Sequence, residues 1–290
     1  MHKVHFSLLL FCLLFCGCGK KKQNDKVALH MSSDIVKKDR VQANYDLGWI
    51  AGSTGKLDLA INQFKAVLKE DPNHVAATHD LGLAYAKKGM MREAIEMFHR
   101  TLELDPRFAE AYFNLSTAYF RLEQNDLAMD YLNRCMRIEP RHPQGLLRLA
   151  TLAEQRGEFQ KAIQMYAEYM AVKPLDGKVA ARLGTLYFQQ GLDENARIEL
   201  VRAIRMKAGS AQTHYQLGVI EHRRNNLNAA KQNYLKVLEL NPNYTDCLVS
   251  LGEIFERERN LQQALIHYER AYGLEPDNEF VRNKVASLRR

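Results

Sequence analysis

Residues able to do covalent or acid–base chemistry are thinly spread in this 290-residue chain. Gly52-Ser53-Thr54-Gly55-Lys56 has the composition of a phosphate-binding loop. Only two residues separate its glycines, however, and Leu57 follows the lysine. A loop that cradles phosphates needs four residues there and a hydroxyl after the lysine to reach magnesium. Glu96 and His99 form one Glu-x-x-His, whereas a di-iron site needs two such pairs and further carboxylates. There is no His-Glu-x-x-His, no Gly-x-Ser-x-Gly, no Cys-x-x-Cys and no Cys/His cluster with zinc spacing. We therefore expect no catalytic residue, cofactor, metal or small-molecule substrate, and read the chain as a non-enzyme. An enzyme whose site hides among structural residues is the alternative left open.

The remaining reactive side chains are the five cysteines. Cys135 and Cys247 lie far apart in the body and are expected to be buried small hydrophobes. Cys12, Cys16 and Cys18 crowd the N-terminus, where Lys3 precedes an apolar run over 6–15. That run has the length of a signal-peptide core and is too short to span a membrane, which takes roughly 20 apolar residues. The end of the run, Leu14-Phe15-Cys16-Gly17-Cys18, resembles a bacterial lipobox, with small Gly17 before the cysteine and Phe15 in the place usually held by leucine. The resemblance implies that 1–17 is a lipoprotein-type signal peptide. It further implies cleavage before Cys18, acylation there, and lipid anchoring in the bacterial cell envelope, facing the periplasm. Lys20, Lys21 and Lys22 would then meet anionic headgroups, and 18–40 would be a basic tether, with a brief helix leading into the body. A cytoplasm-facing protein held by an uncleaved signal anchor is the competing arrangement.

Charge excludes one class of partner. The formal net charge is +7, but the body over 41–278 carries 29 basic and 30 acidic residues. The excess lies at the two ends. A nucleic-acid surface would spread it along one face of the body, so nucleic acid is not an expected partner.

The body itself is periodic. It divides without insertion into seven repeats of 34 residues: 41–74, 75–108, 109–142, 143–176, 177–210, 211–244 and 245–278. The seventh position is leucine throughout, from Leu47 to Leu251. The eighth is small: Gly48, Gly82, Ser116, Ala150, Gly184, Gly218 and Gly252. The twentieth is always alanine, and the twenty-fourth is Phe64, Phe98, Leu132, Tyr166, Leu200, Tyr234 or Tyr268. Proline closes every repeat except the fifth, where Ala208 stands instead. Leucine with a large residue four positions on makes one helical face. A small residue beside it admits a second helix, and proline stops that helix. Gly55, Gly89, Gly157 and Gly191 mark the turn between the two. Each repeat is thus expected to be a helix hairpin that cannot bury its own apolar faces and must stack on its neighbours. A last helix over 279–290 would cap the stack, started by Asp277 or Asn278 and covering the end with Phe280, Val285 and Leu288.

These columns resemble the tetratricopeptide-repeat pattern over 238 of the 290 residues. The resemblance implies an all-α fold: a right-handed α-solenoid of seven stacked hairpins plus a C-terminal capping helix. It implies a scaffold that binds other proteins or peptides on a concave groove lined by the first helix of each hairpin. The positions that face the groove in this family place Tyr45, Trp49, His79, Phe113, Asn114, Phe120, Arg148, Lys178, Arg182, Phe188 and Tyr215 there. Asn114, Arg148, Lys178 and Arg182 would engage an acidic or extended segment, with Phe113, Phe120 and Phe188 as apolar anchors. The carboxylate clamp of one family subgroup is incomplete: Lys178 and Arg182 match it, but Arg148, Phe113 and Thr117 do not. Roles in secretion or pilus assembly, polysaccharide export or wall remodelling are all open to such an adaptor.

Overall fold

A computed structural model describes the backbone of residues 18–289 and the side chains of residues 34–289. The expected signal peptide lies outside the described residues, as do the side chains of Cys18, Lys20, Lys21 and Lys22. Fifteen α-helices and no strand are present among the described residues. They are α1 (Cys18–Ser53), α2 (Leu57–Glu70), α3 (Val75–Lys88), α4 (Met91–Leu104), α5 (Ala109–Arg121), α6 (Asn125–Ile138), α7 (Pro143–Gln155) and α8 (Phe159–Val172). There follow α9 (Gly177–Gln189), α10 (Asp193–Arg205), α11 (Ala211–Arg223), α12 (Leu227–Leu240), α13 (Thr245–Arg257), α14 (Leu261–Leu274) and α15 (Glu279–Leu288). The chain forms two compact units, one ending at Pro140 and one spanning Arg141–Arg290. Within each unit the helices pair in order as hairpins, and each second helix packs on the next hairpin's first. The tether is not separate from the first repeat: α1 runs from Cys18 through Ser53 without a break.

The alanine at the twentieth position is fully buried in all seven repeats. It lies where the second helix crosses the first, and any larger side chain would force the two apart. The glycines at the eighth position serve the same contact. A methyl on Gly218 would stand 2.5 Å from Tyr234 Cε1, and one on Gly82 2.7 Å from Phe98 Cε1. Leu217, at the seventh position, packs on the preceding hairpin's second helix beside Ala196 and Leu200. Leu47 has no preceding hairpin among the described residues and is 52% exposed.

Turn geometry repeats as strictly. The fifteenth residue of every repeat has a positive φ, between 59° and 86°. Glycine holds it four times, at Gly55, Gly89, Gly157 and Gly191; Glu123, Asn225 and Arg259 hold it otherwise. α15 closes the C-terminal end as a cap. The Asn278 side chain accepts from the Val281 amide, and Val281 and Val285 are buried against Leu248 and Tyr268. Phe280, expected to cover the end, is instead 47% exposed. It lies one residue too early on the helix, and Val281 takes the buried place. Cys135 and Cys247 are both free and buried. Burial pushes the Cys247 thiol up to about 12, and it donates to the Tyr234 carbonyl, so it is inert.

Candidate partner-binding site

In the first compact unit, the first helices of successive hairpins leave small cavities between them. One, of about 150 Å³, is lined by Trp49, Gly52 and Ser53 on α1 and by Asp80, Leu83 and Lys87 on α3, with Phe64 below. The next, of about 170 Å³, is lined by Leu83, Ala86 and Lys87 on α3 and by Asn114, Thr117 and Arg121 on α5, with Phe98 below. The second repeats the first after 34 residues. In each, the ninth, twelfth and thirteenth residues of one repeat face the sixth, ninth and thirteenth of the next. Trp49 is 60% exposed at the mouth of the first. Lys87 and Arg121 are exposed, and neither makes an ion pair among the described residues. The result is a row of apolar slots with a cationic rim.

Between these slots runs a hydrogen-bonded chain. Tyr45 donates its hydroxyl to Asp80 Oδ2 at 2.8 Å. Asn114 Nδ2 lies 2.9 Å from His79 Nε2. An amide nitrogen only donates, so Nε2 accepts, and Nδ1–H donates to Asp80 Oδ1 at 3.1 Å. His79 is only 7% exposed. Burial, then the Asp80 bond, raises the Tyr45 hydroxyl well above its ordinary value. This chain links α1, α3 and α5 and uses the only carboxylate in the first slot.

At three repeats the fifth residue is a ring that packs, tilted, against the residue that starts the next hairpin: Tyr45 against His74 at 5.1 Å, His79 against Phe108 at 4.9 Å and Tyr215 against Tyr244 at 4.9 Å. Tyr45, His79 and Tyr215 thus fasten neighbouring repeats. Burial first, then Asp246, pushes the Tyr215 hydroxyl up to about 12.

Arg182 in the second unit is also engaged. It holds Glu154 through Nε at 2.8 Å and Nη2 at 2.6 Å, while Tyr166 donates to the same carboxylate at 3.1 Å. The arrangement recurs at the C-terminal end, where Glu256 takes Tyr268 at 2.7 Å and Lys284 at 2.6 Å. The carboxylate is the twelfth residue of its repeat, the tyrosine the twenty-fourth, and the cation the sixth of the next. Arg182 is accordingly a staple between repeats. Phe188 lies under the Arg223 guanidinium, 5.2 Å from its ring centroid. Phe113, Phe120 and Arg148 are half-buried, each with an interaction partner. Lys178 is exposed at the start of α9. Of the expected groove residues, the structure joins Tyr45, His79 and Asn114 in one network beside Trp49. Asn114 lies in the first unit, and Arg148, Lys178 and Arg182 in the second.

Leu83, Lys87 and Arg121 were not singled out by the sequence, and Thr117 entered only as a mismatch to the carboxylate clamp. Their signal was present in the ninth and thirteenth columns, but those columns hold no shared residue type.

Family models described as tetratricopeptide repeat match residues 45–91, 79–145 and 147–212, then 211–244, then 247–282. The chain belongs to the tetratricopeptide-repeat family. Among solved structures, this repeat protein is similar to MamA, with 29% identity, 59% of this chain and 93% of that one covered, and a TM-score of 0.45. It is similar to the C-terminal part of a repeat protein from Cytophaga hutchinsonii at 14% identity, covering 83% and 99%, with a TM-score of 0.56; this likeness is one of fold. PilF of Pseudomonas aeruginosa is 16% identical over 74% of this chain and 96% of that one, with a TM-score of 0.47. Comparison with curated proteins finds no match. As in this family generally, the repeats make a scaffold suited to binding other proteins or peptides. Among the described residues no helix is long and apolar enough to cross a membrane.

Proposed function

We propose that this tetratricopeptide-repeat protein is a lipid-anchored, non-catalytic adaptor of the bacterial envelope. It holds an extended partner segment along the first helices of its hairpins and so helps assemble an envelope machine for secretion, pilus formation, polysaccharide export or wall remodelling. The observation that carries the binding role is the pair of slots in register under Trp49 and Leu83, rimmed by Lys87 and Arg121. An extended segment places alternate side chains on one face, which suits slots that repeat from one hairpin to the next. The cationic rim favours a segment carrying carboxylates. The anchor rests on the lipobox resemblance ending at Cys18 and on Lys20 to Lys22 beside it.

Two experiments test the two halves. Acyl labelling of wild type and Cys18→Ser reads the anchor, and label persisting in the variant refutes acylation at that residue. Crosslinked capture from membranes, wild type against Trp49→Ala/Lys87→Glu, reads the slots. Loss of a specific partner is expected, and an unchanged partner set overturns the assignment. Arg182→Glu is a poor probe, because it sets a second carboxylate against Glu154 and loosens the fold.

A further inference from the structure

A larger cavity lies elsewhere, wholly inside the second unit. It measures about 780 Å³, opens widely to solvent, and is lined by two successive loops, α8–α9 and α10–α11. That volume is in the range of cavities that hold ligands. Its origin is the one break in the proline column. In other repeats Asp71, Asp105 or Asn241 opens a proline turn and accepts from the amide two residues on. In the fifth repeat α10 stops at Arg205, and Lys207 turns left-handed at φ 58°. Ala208 then donates to the Ala203 carbonyl at 2.9 Å and Lys207 to that of Ile204 at 3.0 Å. This is a Schellman closure. It folds Met206 and Ala208 down onto Gly177, where any Cβ would stand 2.7 Å and 2.9 Å from their Cβ atoms. Gly177 is thus the floor of the cavity, and the glycine is needed for the loops to meet.

The lining is cationic and apolar at once. Lys173, Lys178 and Lys207 surround it, all at least partly exposed. Among the described residues none of the three makes an ion pair. The single acid in the lining, Asp176, is already used: Oδ1 accepts the Lys178 and Val179 amides at 3.1 Å, and Oδ2 accepts the Tyr169 hydroxyl at 2.8 Å. Leu175 is 84% exposed, more than any other large apolar side chain described, and Pro174 and Met206 continue its wall. A free inorganic anion would satisfy the lysines but leave the apolar wall wet. A neutral apolar ligand would leave the three lysines with Asp176 as the one counter-charge in the lining.

We propose that this loop cavity is a second docking site, for an acidic segment of a partner protein that carries carboxylates on either side of a large aliphatic side chain. It is separate from the slots under Trp49. Complementary charge sets the encounter, and Leu175 with Met206 receives the aliphatic anchor.

The probe is a fluorescein-labelled nonapeptide alternating glutamate with leucine, titrated against the full-length chain by fluorescence polarisation. Saturable, salt-sensitive binding is expected, weakened at least about tenfold by Lys173→Glu/Lys207→Glu and, separately, by Leu175→Ser. Repeating the titration in the Trp49→Ala/Lys87→Glu background, where the slots no longer compete for the peptide, should leave a saturable component that the cavity substitutions remove, so failure of the slots and failure of this cavity read differently. No saturable binding by wild type, or wild-type binding by both cavity variants, overturns the proposal. So does a loss of peptide binding confined to Trp49→Ala/Lys87→Glu. Phosphatidylglycerol vesicles form the last arm. If they retain wild type but not Lys173→Glu/Lys207→Glu, and the peptide does not bind, the surface is a membrane contact and the proposal fails.

Discussion

Replacing Gly218 by alanine sets two effects of opposite sign against each other. In a helix interior the change is worth about 1 kcal/mol in favour of alanine. Here the added methyl would stand 2.5 Å and 2.7 Å from two ring carbons of Tyr234. Tyr234 is 1% exposed, and its ring is flanked by Tyr215 at 6.0 Å and His222 at 6.4 Å, so it has nowhere to move. Overpacking of this kind costs about 1–3 kcal/mol, leaving a net loss of roughly 0–2 kcal/mol. Gly273 supplies the control. It lies in α14, and a Cβ added there would meet nothing within 4 Å, so Gly273→Ala keeps the helix gain alone. The two variants should therefore differ by about 1–3 kcal/mol, with midpoints displaced in opposite directions in urea or thermal unfolding followed by circular dichroism. Stacked repeats can unfold in steps, so the order of midpoints is the quantity to read. Tyr234→Leu in the Gly218→Ala background sets a leucine beside the small residue, as Leu132 lies beside Ser116, and should cost less than the single changes added together. A Gly218→Ala protein stabilised as much as Gly273→Ala would refute the close-approach account.

Glu154→Gln and Glu256→Gln should each lower stability by about 1 kcal/mol, discounted for the solvent-exposed cations they bind, and high salt should shrink the difference. Glu123→Gly and Arg259→Gly should raise the thermal midpoint by the equivalent of about 1 kcal/mol each, because both residues hold the left-handed turn that glycine adopts without strain. His267 stacks on Phe255 at 5.3 Å while its buried Nδ1 has no hydrogen-bond partner among the described residues; His267→Phe should keep the stack and gain about 1 kcal/mol at neutral pH. Burial, then a neighbouring arginine, lowers the proton affinity of His222 and His267 in the fold. Their stability is thus complete above the ordinary histidine value of about 6.5 and is lost as pH falls through the lower folded values. Melting temperatures measured from pH 7 to pH 5 should fall, and less steeply in His267→Phe; an unchanged slope would remove His267 from the account.

The sequence alone determined the hairpin, its period and its class. Leucine, small residue, alanine and bulky residue at fixed offsets encode a local contact between two adjacent helices, and seven copies leave no other way to bury it. The seven positive-φ turns were legible only where glycine marked them; Glu123, Asn225 and Arg259 carry the same geometry under side chains that do not announce it. What each inner residue does was decided by tertiary structure. A column number gives a direction from the helix axis, not the identity of what lies across the gap. His79 and Tyr215 therefore read as groove residues, although the residue that starts the next hairpin lies against their rings. Arg182 read as a free cation because Glu154 and Tyr166, 28 and 16 residues before it, meet it only after the hairpins stack. The cavity beside Gly177 was likewise invisible: Ala208 showed as one missing proline, but only folded loops bring Met206 down upon that glycine and leave three lysines around one exposed leucine.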